Sequence, residues 1–404
     1  MTGVVAAVRA TRLWRGIVLV VVALFVWALV GTVLDAHAQT TSALRVEVSG
    51  APQRVQGSDG REHVEYDLII TNAFSAEATL RSLEVGGDGR RLLSLSGAAV
   101  DAATFRLGTF TPTGGRVGPA STVVIEVDVA LPSSAGRSVP RLLTNRIGYA
   151  VPADAPLRAV IGTTTVDVPA VRVDRRAPIV IASPLRGSGW LNANGCCDDS
   201  TAHRQFVLAT SSGHYITPEI FAIDWIRVVN GRFYTGDGSN NSDWPTYGAP
   251  LYAVANGTVV SVVDGRPDIP PASRNPELRT PRDFGGNSVI LRIAPDRYAC
   301  YAHLIAGSVR VRSGQRVRVG EPIGLVGNSG NTDAPHLHFG IQRAPDCLSE
   351  SEPFEIDRYT LEGTAGPESA LPHVSVIGPQ SRERRSLPLI KSVTTLLPPE
   401  RPDR

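Results

Sequence analysis

The stretch "GNSGNTDAPHLHFGIQ", residues 327 to 342, ends on His336-Leu337-His338 and an apolar run. In a β-strand alternate residues share a face about 6.5 to 7 Å apart, so both imidazoles can enter one site while Leu337 packs behind them. A neutral imidazole is a common metal ligand, and an unliganded neighbour that titrates near neutrality suits proton transfer. The pair therefore admits a division of labour, one histidine on a metal and the other moving protons. An isolated H-x-H is equally the mark of two solvated or merely hydrogen-bonded side chains.

Other residues add weight to the chemical reading. Asp224 interrupts the apolar stretch "IFAIDWIRV", where an unpaired buried carboxylate would be costly and so wants a metal or a strong donor. "YACYAHL" sets His303 in a similar apolar environment. The Gly and Asn residues of "GNSGNT" can take backbone conformations closed to other residues and so bring His336 in at a set angle. Of the eight histidines, five lie between His203 and His338; His37, His63 and His373 lie elsewhere.

The elements that must position these residues are β-rich. Region 185–362 contains "IFAIDWIRVV", "PLYAVANGTVVSVVDG", "NSVILRIA", "YACYAHL" and "PHLHFGIQ". A Pro- and Arg-rich loop, "GRPDIPPASRNPELRTPRDFGG", is longer than ordinary connections and reads as a functional wall or lid. Residues 41–178 alternate short β-rich runs with turn signals and predict an immunoglobulin-like β-sandwich. No ionisable cluster there suggests chemistry, so a spacer or binding module is expected. The imperfect alternation of "EYDLIITN" fits a strand buried on both sides. Residues 366–404, Pro-rich, charged and without periodicity, read as a disordered tail. The expected class is all-β, with a boundary near residue 180.

Forty Lys+Arg against 38 Asp+Glu give a formal net charge of +2, which lacks the electrostatic footprint of a nucleic-acid binder. Arg9, Arg12 and Arg15 precede the apolar run at residues 16–34, and Ala36 and Ala38 form an A-x-A cleavage pattern. Residues 1–38 thus read as a signal peptide released after Ala38, or as a retained membrane anchor through residues 16–34. Either places the body outside the cytoplasm, secreted, periplasmic or anchored, where disulfides are permitted. Four cysteines allow three pairings, and a long-range bond such as Cys300 to Cys347 is expected.

The stretch from Asp224 to Gln342 resembles the lysostaphin-like family of zinc endopeptidases that cut peptidoglycan peptide bridges. The residues that carry the resemblance are the Asp of "FAIDW", then "GAPLYAVANGTVVSVVDG", "GGNSVILRI", "YAHL" and "SGQRVRVGEPIGLVGNSGNTDAPHLHFGI". The resemblance implies an antiparallel β-fold with a groove, Asp224 and His338 as zinc ligands, His336 as general base, and His303 orienting water or stabilising the transition state. It also implies a peptidoglycan peptide as substrate.

One position departs from the family. The first zinc ligand should be a histidine four residues before the aspartate, in H-x-x-x-D, and here that residue is Ile220. Two protein ligands fall short of the three a catalytic zinc site normally has. His203 and His214 are the candidates to replace it, and Cys196, Cys197, Asp198 and Asp199 lie nearby. A hairpin between "HRQFVLAT" and "IFAIDWIRV" would bring His203 opposite Asp224, provided the register is not slipped by one residue. The alternatives are a water-completed site, or a degenerate domain that binds peptidoglycan or regulates a cell-wall hydrolase without catalysis.

Overall fold

The computed structural model describes residues 40–132, 139–197, 201–273 and 278–400. The expected signal peptide or anchor at 1–38, and Asp198 and Asp199, lie outside the described residues. Among those described, no helix is long and apolar enough to cross a membrane. The chain divides into two units. In the small one, the amides of Gly162 and Thr163 both donate to the Thr41 carbonyl, at 3.0 and 3.1 Å.

The large unit is built almost wholly of strands, as its sequence predicts. The strands that matter below are β1 (Arg61–Asn72), β2 (Thr122–Pro132), β3 (Ile179–Ile181), β4 (Gly187–Asn194), β5 (Ile223–Arg227), β6 (Gly257–Val263), β7 (Asn287–Ala294), β8 (Arg297–Leu304), β9 (Arg316–Val317), β10 (Leu337–Gln342), β11 (Phe354–Ala365) and β12 (Ser392–Leu396). Two short helices accompany them, α1 (Ala202–Gln205) and α2 (Pro281–Phe284).

In the N-terminal part, β1 pairs antiparallel with β2 inside a six-stranded sheet, and a five-stranded sheet accompanies it. Residues 63–70 of β1 are buried without a break, which explains why its hydrophobic alternation is blurred. Val64, Tyr66, Leu68 and Ile70 line one face. His63, Glu65, Asp67 and Ile69 line the other, so this part of the chain does contain an ionisable cluster, contrary to expectation. Period-two alternation hid it, because acids placed between apolar residues imitate a solvated face.

The C-terminal part is one large sheet with the order β3-β11-β12-β4-β5-β10-β8-β7-β6-β9. All neighbours on this path are antiparallel except β3 and β11. The expected disordered tail instead contributes strands to this sheet among its described residues, at Val376–Ile377, Ser381–Ser386 and Ser392–Leu396. β12 pairs with β11 and β4, and Val393, Thr394 and Leu396 are buried. The Pro-rich, charged composition of the wider window masked the short apolar run "LPLI", and a strand of five residues has too few positions to show a period. The Asn192 amide donates to the Pro388 carbonyl at 2.9 Å and Ile390 N donates to the Cys196 carbonyl, tying this segment to β4.

The four cysteines form the bonds Cys196–Cys197 and Cys300–Cys347. The main core brings Trp190, Phe221, Trp225, Tyr301, Leu337, Phe339 and Phe354 together. Tyr301 belongs to it. Its hydroxyl accepts from Val254 N at 2.9 Å and donates to the Tyr252 carbonyl at 3.2 Å, which is a packing role.

Candidate metal centre

Three central strands assemble the site. β10 lies between β5 and β8, and the register sets Asp224 opposite His338 and Ala302 opposite His338 on the other side. Asp224 and His338 thus meet by strand pairing alone. Asp224 Oδ1 lies 2.9 Å from His338 Nδ1. His336, one residue before β10 begins, turns its Nε2 to within 3.4 Å of the same oxygen, while Leu337 between them is fully buried in the core.

His203 also reaches this carboxylate, with its Nε2 3.1 Å from Asp224 Oδ2. It arrives by a different route from the hairpin predicted. α1 carries it, and only Leu208–Ala209 of the following segment pairs as strand, with Tyr215–Ile216. The partner of β5 on this side is β4, with Asn194 opposite Asp224. The Asn194 amide donates to Asp224 Oδ2 at 3.1 Å, and its oxygen accepts from His203 N at 3.3 Å. The ligand atoms of His203, Asp224 and His338 lie within 4.8 Å of one another, a donor set able to hold a metal ion.

Ile220 is 6% exposed and packs into the main core, away from the cavity that these residues line. His214 is exposed on the loop of the small hairpin, beside Ser212, and does not line that cavity. Cys197 is placed near His63 and Glu65 instead.

Hydrogen bonds orient each imidazole. His203 Nδ1 faces the Ala222 carbonyl at 3.2 Å, His336 Nδ1 the Ala334 carbonyl at 2.8 Å, and His303 Nδ1 the Ser329 carbonyl at 2.7 Å. A carbonyl can only accept, so Nδ1 carries the proton in all three and Nε2 is left for the cavity. The His303 and His336 rings are 4.6 Å apart. His303 has a φ of 65°, in the left-handed region that costs a non-glycine residue roughly 1 kcal/mol or more. Its N donates to the Gly285 carbonyl and its carbonyl accepts from Gly327 N, each at 2.9 Å, and these bonds hold the unusual backbone in place.

The "GNSG" loop reaches this position through close backbone contact. A Cβ on Gly330 would strike the Gly286 backbone, and a Cβ on Gly286 would strike Ser329. The buried Ser329 hydroxyl donates to the Leu304 carbonyl at 2.8 Å and accepts from Asn287 N at 3.0 Å, joining the loop to β7 and β8.

The charges are strongly coupled. Burial favours a neutral Asp224, yet His203 and His336 outweigh it and hold the carboxyl well below its usual range. Burial likewise opposes charge on His203, but Asp224 and Glu219 raise it to about 9. His336 moves upward through Asp224 in spite of burial. His303 is pushed well below the ordinary histidine value, first by burial and then by His336 and His338. The cluster therefore offers a fixed anion, two basic imidazoles and one neutral imidazole.

One charged neighbour escaped the sequence reading. Glu219 is 4% exposed, and its two carboxylate oxygens lie 3.8 Å from His203 Nε2 and from His338 Nε2. Its signal was the same as that of Asp224, an acid beside an apolar run, in "TPEIFAIDW". The whole cluster lines a cavity of about 550 Å³, open to solvent, whose apolar wall includes Phe110, Phe206 and Phe284. Phe206 and Phe284 stack with centroids 5.4 Å apart.

Residues 243–350 match peptidase family M23. The M23 match contains His303, His336 and His338, and it begins downstream of Asp224 and His203.

Two curated relatives share this part of the chain. Cell division protein DipM of Caulobacter vibrioides is 36% identical over 70 residues, which are 17% of this chain and 11% of that protein. Peptidoglycan DD-endopeptidase ShyA of Vibrio cholerae is 32% identical over 94 residues, 23% of this chain and 17% of that protein. The chain spans under a fifth of the length of either. Among solved structures, the catalytic domain of lysostaphin from Staphylococcus simulans is 18% identical, covering 42% of this chain and 88% of that one, with a TM-score of 0.21. A zinc containing peptidase from Vibrio cholerae is 16% identical, covering 76% and 83%, with a TM-score of 0.22.

Proposed function

We propose that the chain is a zinc-dependent endopeptidase of the cell envelope that hydrolyses peptide bonds of peptidoglycan, with His203, Asp224 and His338 as the metal ligands. One observation carries this reading: a single partly buried carboxylate, Asp224, is met by His203 Nε2 on one oxygen and by His338 Nδ1 on the other. In this reading His203 takes the part that the family gives to the position of Ile220. The donor set fits zinc, since imidazole nitrogen and carboxylate oxygen are its usual ligands and three protein ligands leave a position open for water or substrate.

A bound zinc ion supplies Lewis-acid polarisation of the scissile carbonyl and activation of a water. The protein's own residues do the rest. His336, with Nδ1–H engaged by the Ala334 carbonyl, presents Nε2 to take the water proton and pass it to the leaving amine. His303, neutral and with Nδ1–H engaged by Ser329, presents an Nε2 lone pair, which suits orienting the water by accepting its hydrogen better than donating to an oxyanion. The open cavity with its aromatic wall accommodates an extended peptide.

The M23 match and the name of the Vibrio cholerae relative support peptidoglycan as substrate and a location outside the cytoplasm. The two N-terminal sheets read as an immunoglobulin-like sandwich, and residues 1–38 as the export signal or anchor. The test is zinc content and cleavage of purified peptidoglycan by the full chain. Stoichiometric zinc with chelator-sensitive release of peptides is expected. A zinc-free protein that binds peptidoglycan without cutting it would replace this reading with the degenerate one.

A further inference from the structure

α1 is four residues long, too short to hold itself together, since helix nucleation is unfavourable until several turns form. The orientation of His203 must therefore come from tertiary contacts. Besides the site carboxylates Asp224 and Glu219, two are within the C-terminal part, to Ala222 and Asn194. The third comes from the next residue, Arg204, whose side chain is 1% exposed and points to the N-terminal β1.

There Arg204 Nη1 lies 3.1 Å from Glu65 Oε2, and Nη2 lies 3.2 Å from Asp67 Oδ1. Both carboxylates are as buried as the guanidinium. Asp67 also accepts the Thr217 hydroxyl through its other oxygen. Thr217 stands at the head of the segment that runs through Glu219 into Asp224. One carboxylate on β1 thus holds both the helix that carries His203 and the approach to Asp224.

A buried ion triad is a poor way to glue two surfaces together. Its desolvation is so costly that well-packed apolar residues often serve as well or better, so its use here must be sought in what it positions. The two terminal nitrogens of the planar guanidinium each face a different carboxylate at ion-pair distance, so the group is placed from two sides and its direction is constrained as well as its distance. Apolar adhesion is already available nearby, where Ile69, Phe105 and Val124 pack with Val207.

We propose that Glu65 and Asp67 act through Arg204 as positioning residues for His203, so that the N-terminal β region is a working part of the metal centre and not a spacer. The inference rests on the reading of His203 as a ligand.

The test compares full-chain variants by zinc dissociation constant, visible spectrum of the cobalt-substituted protein and melting temperature. The triple variant Arg204→Met, Glu65→Gln, Asp67→Asn removes all three charges of the triad while nearly keeping side-chain volume. It is expected to bind zinc roughly 10- to 100-fold more weakly, the usual cost of losing an outer-shell partner, with shifted cobalt bands. Arg204→Lys, which keeps the charge but not the fork, is expected to show a several-fold loss. Phe105→Leu, which thins the neighbouring apolar contact, is expected to lower the melting temperature and leave zinc and the cobalt bands unchanged. Zinc affinity within twofold of wild type in either Arg204 variant overturns the inference, as does a Phe105→Leu loss equal to that of the triple variant. A wild-type chain without zinc overturns the ligand reading and this inference together.

Discussion

The Nε2 atom of His203 lies 3.1 Å from Asp224 Oδ2, although a short helix carries one residue and a central strand the other. In the proposed reading this contact supplies the third donor that the H-x-x-x-D spacing fails to provide at Ile220, and the first prediction concerns the two residues together. His203→Ala and Asp224→Asn should each lose zinc by more than the roughly 10- to 100-fold that an outer-shell change costs, and lose cleavage with it. His214→Ala should leave both unchanged. Metal analysis by mass spectrometry after dialysis separates the three.

The two histidines of the H-x-H should part company when mutated singly. His338→Ala should release zinc, because its Nδ1 faces the shared carboxylate. His336→Ala should keep stoichiometric zinc and lose about 10²- to 10⁴-fold in kcat, the usual contribution of a positioned general base. Equal zinc loss in both would mean that the division of labour is wrong.

Restoring the missing histidine should not help. Ile220 packs into the main core and does not line the cavity of the metal cluster, so Ile220→His would replace an apolar core contact with a polar ring away from the metal ligands. We expect a loss of roughly 1 to 3 kcal/mol in stability and no gain in zinc affinity. Denaturant unfolding and zinc titration read the two effects separately.

A pH effect on stability should arise outside the metal cluster. Burial opposes charge on His63, but its ring bonds Asp128 and Asp59 at 3.0 and 3.2 Å, and together they raise it from 6.5 to about 9. The folded pKa lies above the unfolded one, so the stabilisation is complete below about pH 6.5 and is lost as pH rises through about 9. Its size is on the order of a few kcal/mol. Glu65, on the same face of β1, also shifts upward through burial, so the difference between wild type and His63→Gln isolates the histidine. Stabilities that fall in parallel for the two proteins between pH 6 and 9.5 would assign the effect elsewhere.

Much of the C-terminal half was legible because its signals are local. Period two put His336 and His338 on one side of Leu337, and an acid inside an apolar strand marked Asp224. The same logic recovers the all-β class, since short apolar runs between Gly, Pro and Asn leave few other options. The C-terminal strand β12 was not legible. Its five residues show no period, and its place depends on pairing with β4 and β11.

By itself, the sequence determined the class of fold, the strands that carry Asp224, His303 and His338, and the fact that one expected ligand is missing at Ile220. These follow from residue type and spacing along one strand. Only the tertiary structure decided which histidine meets Asp224, that Glu219 borders the same cavity, and that Glu65 and Asp67 clamp the residue beside His203. Those contacts join segments far apart in the chain, and no local period encodes a meeting between a four-residue helix, a central strand and an acidic pair on another sheet.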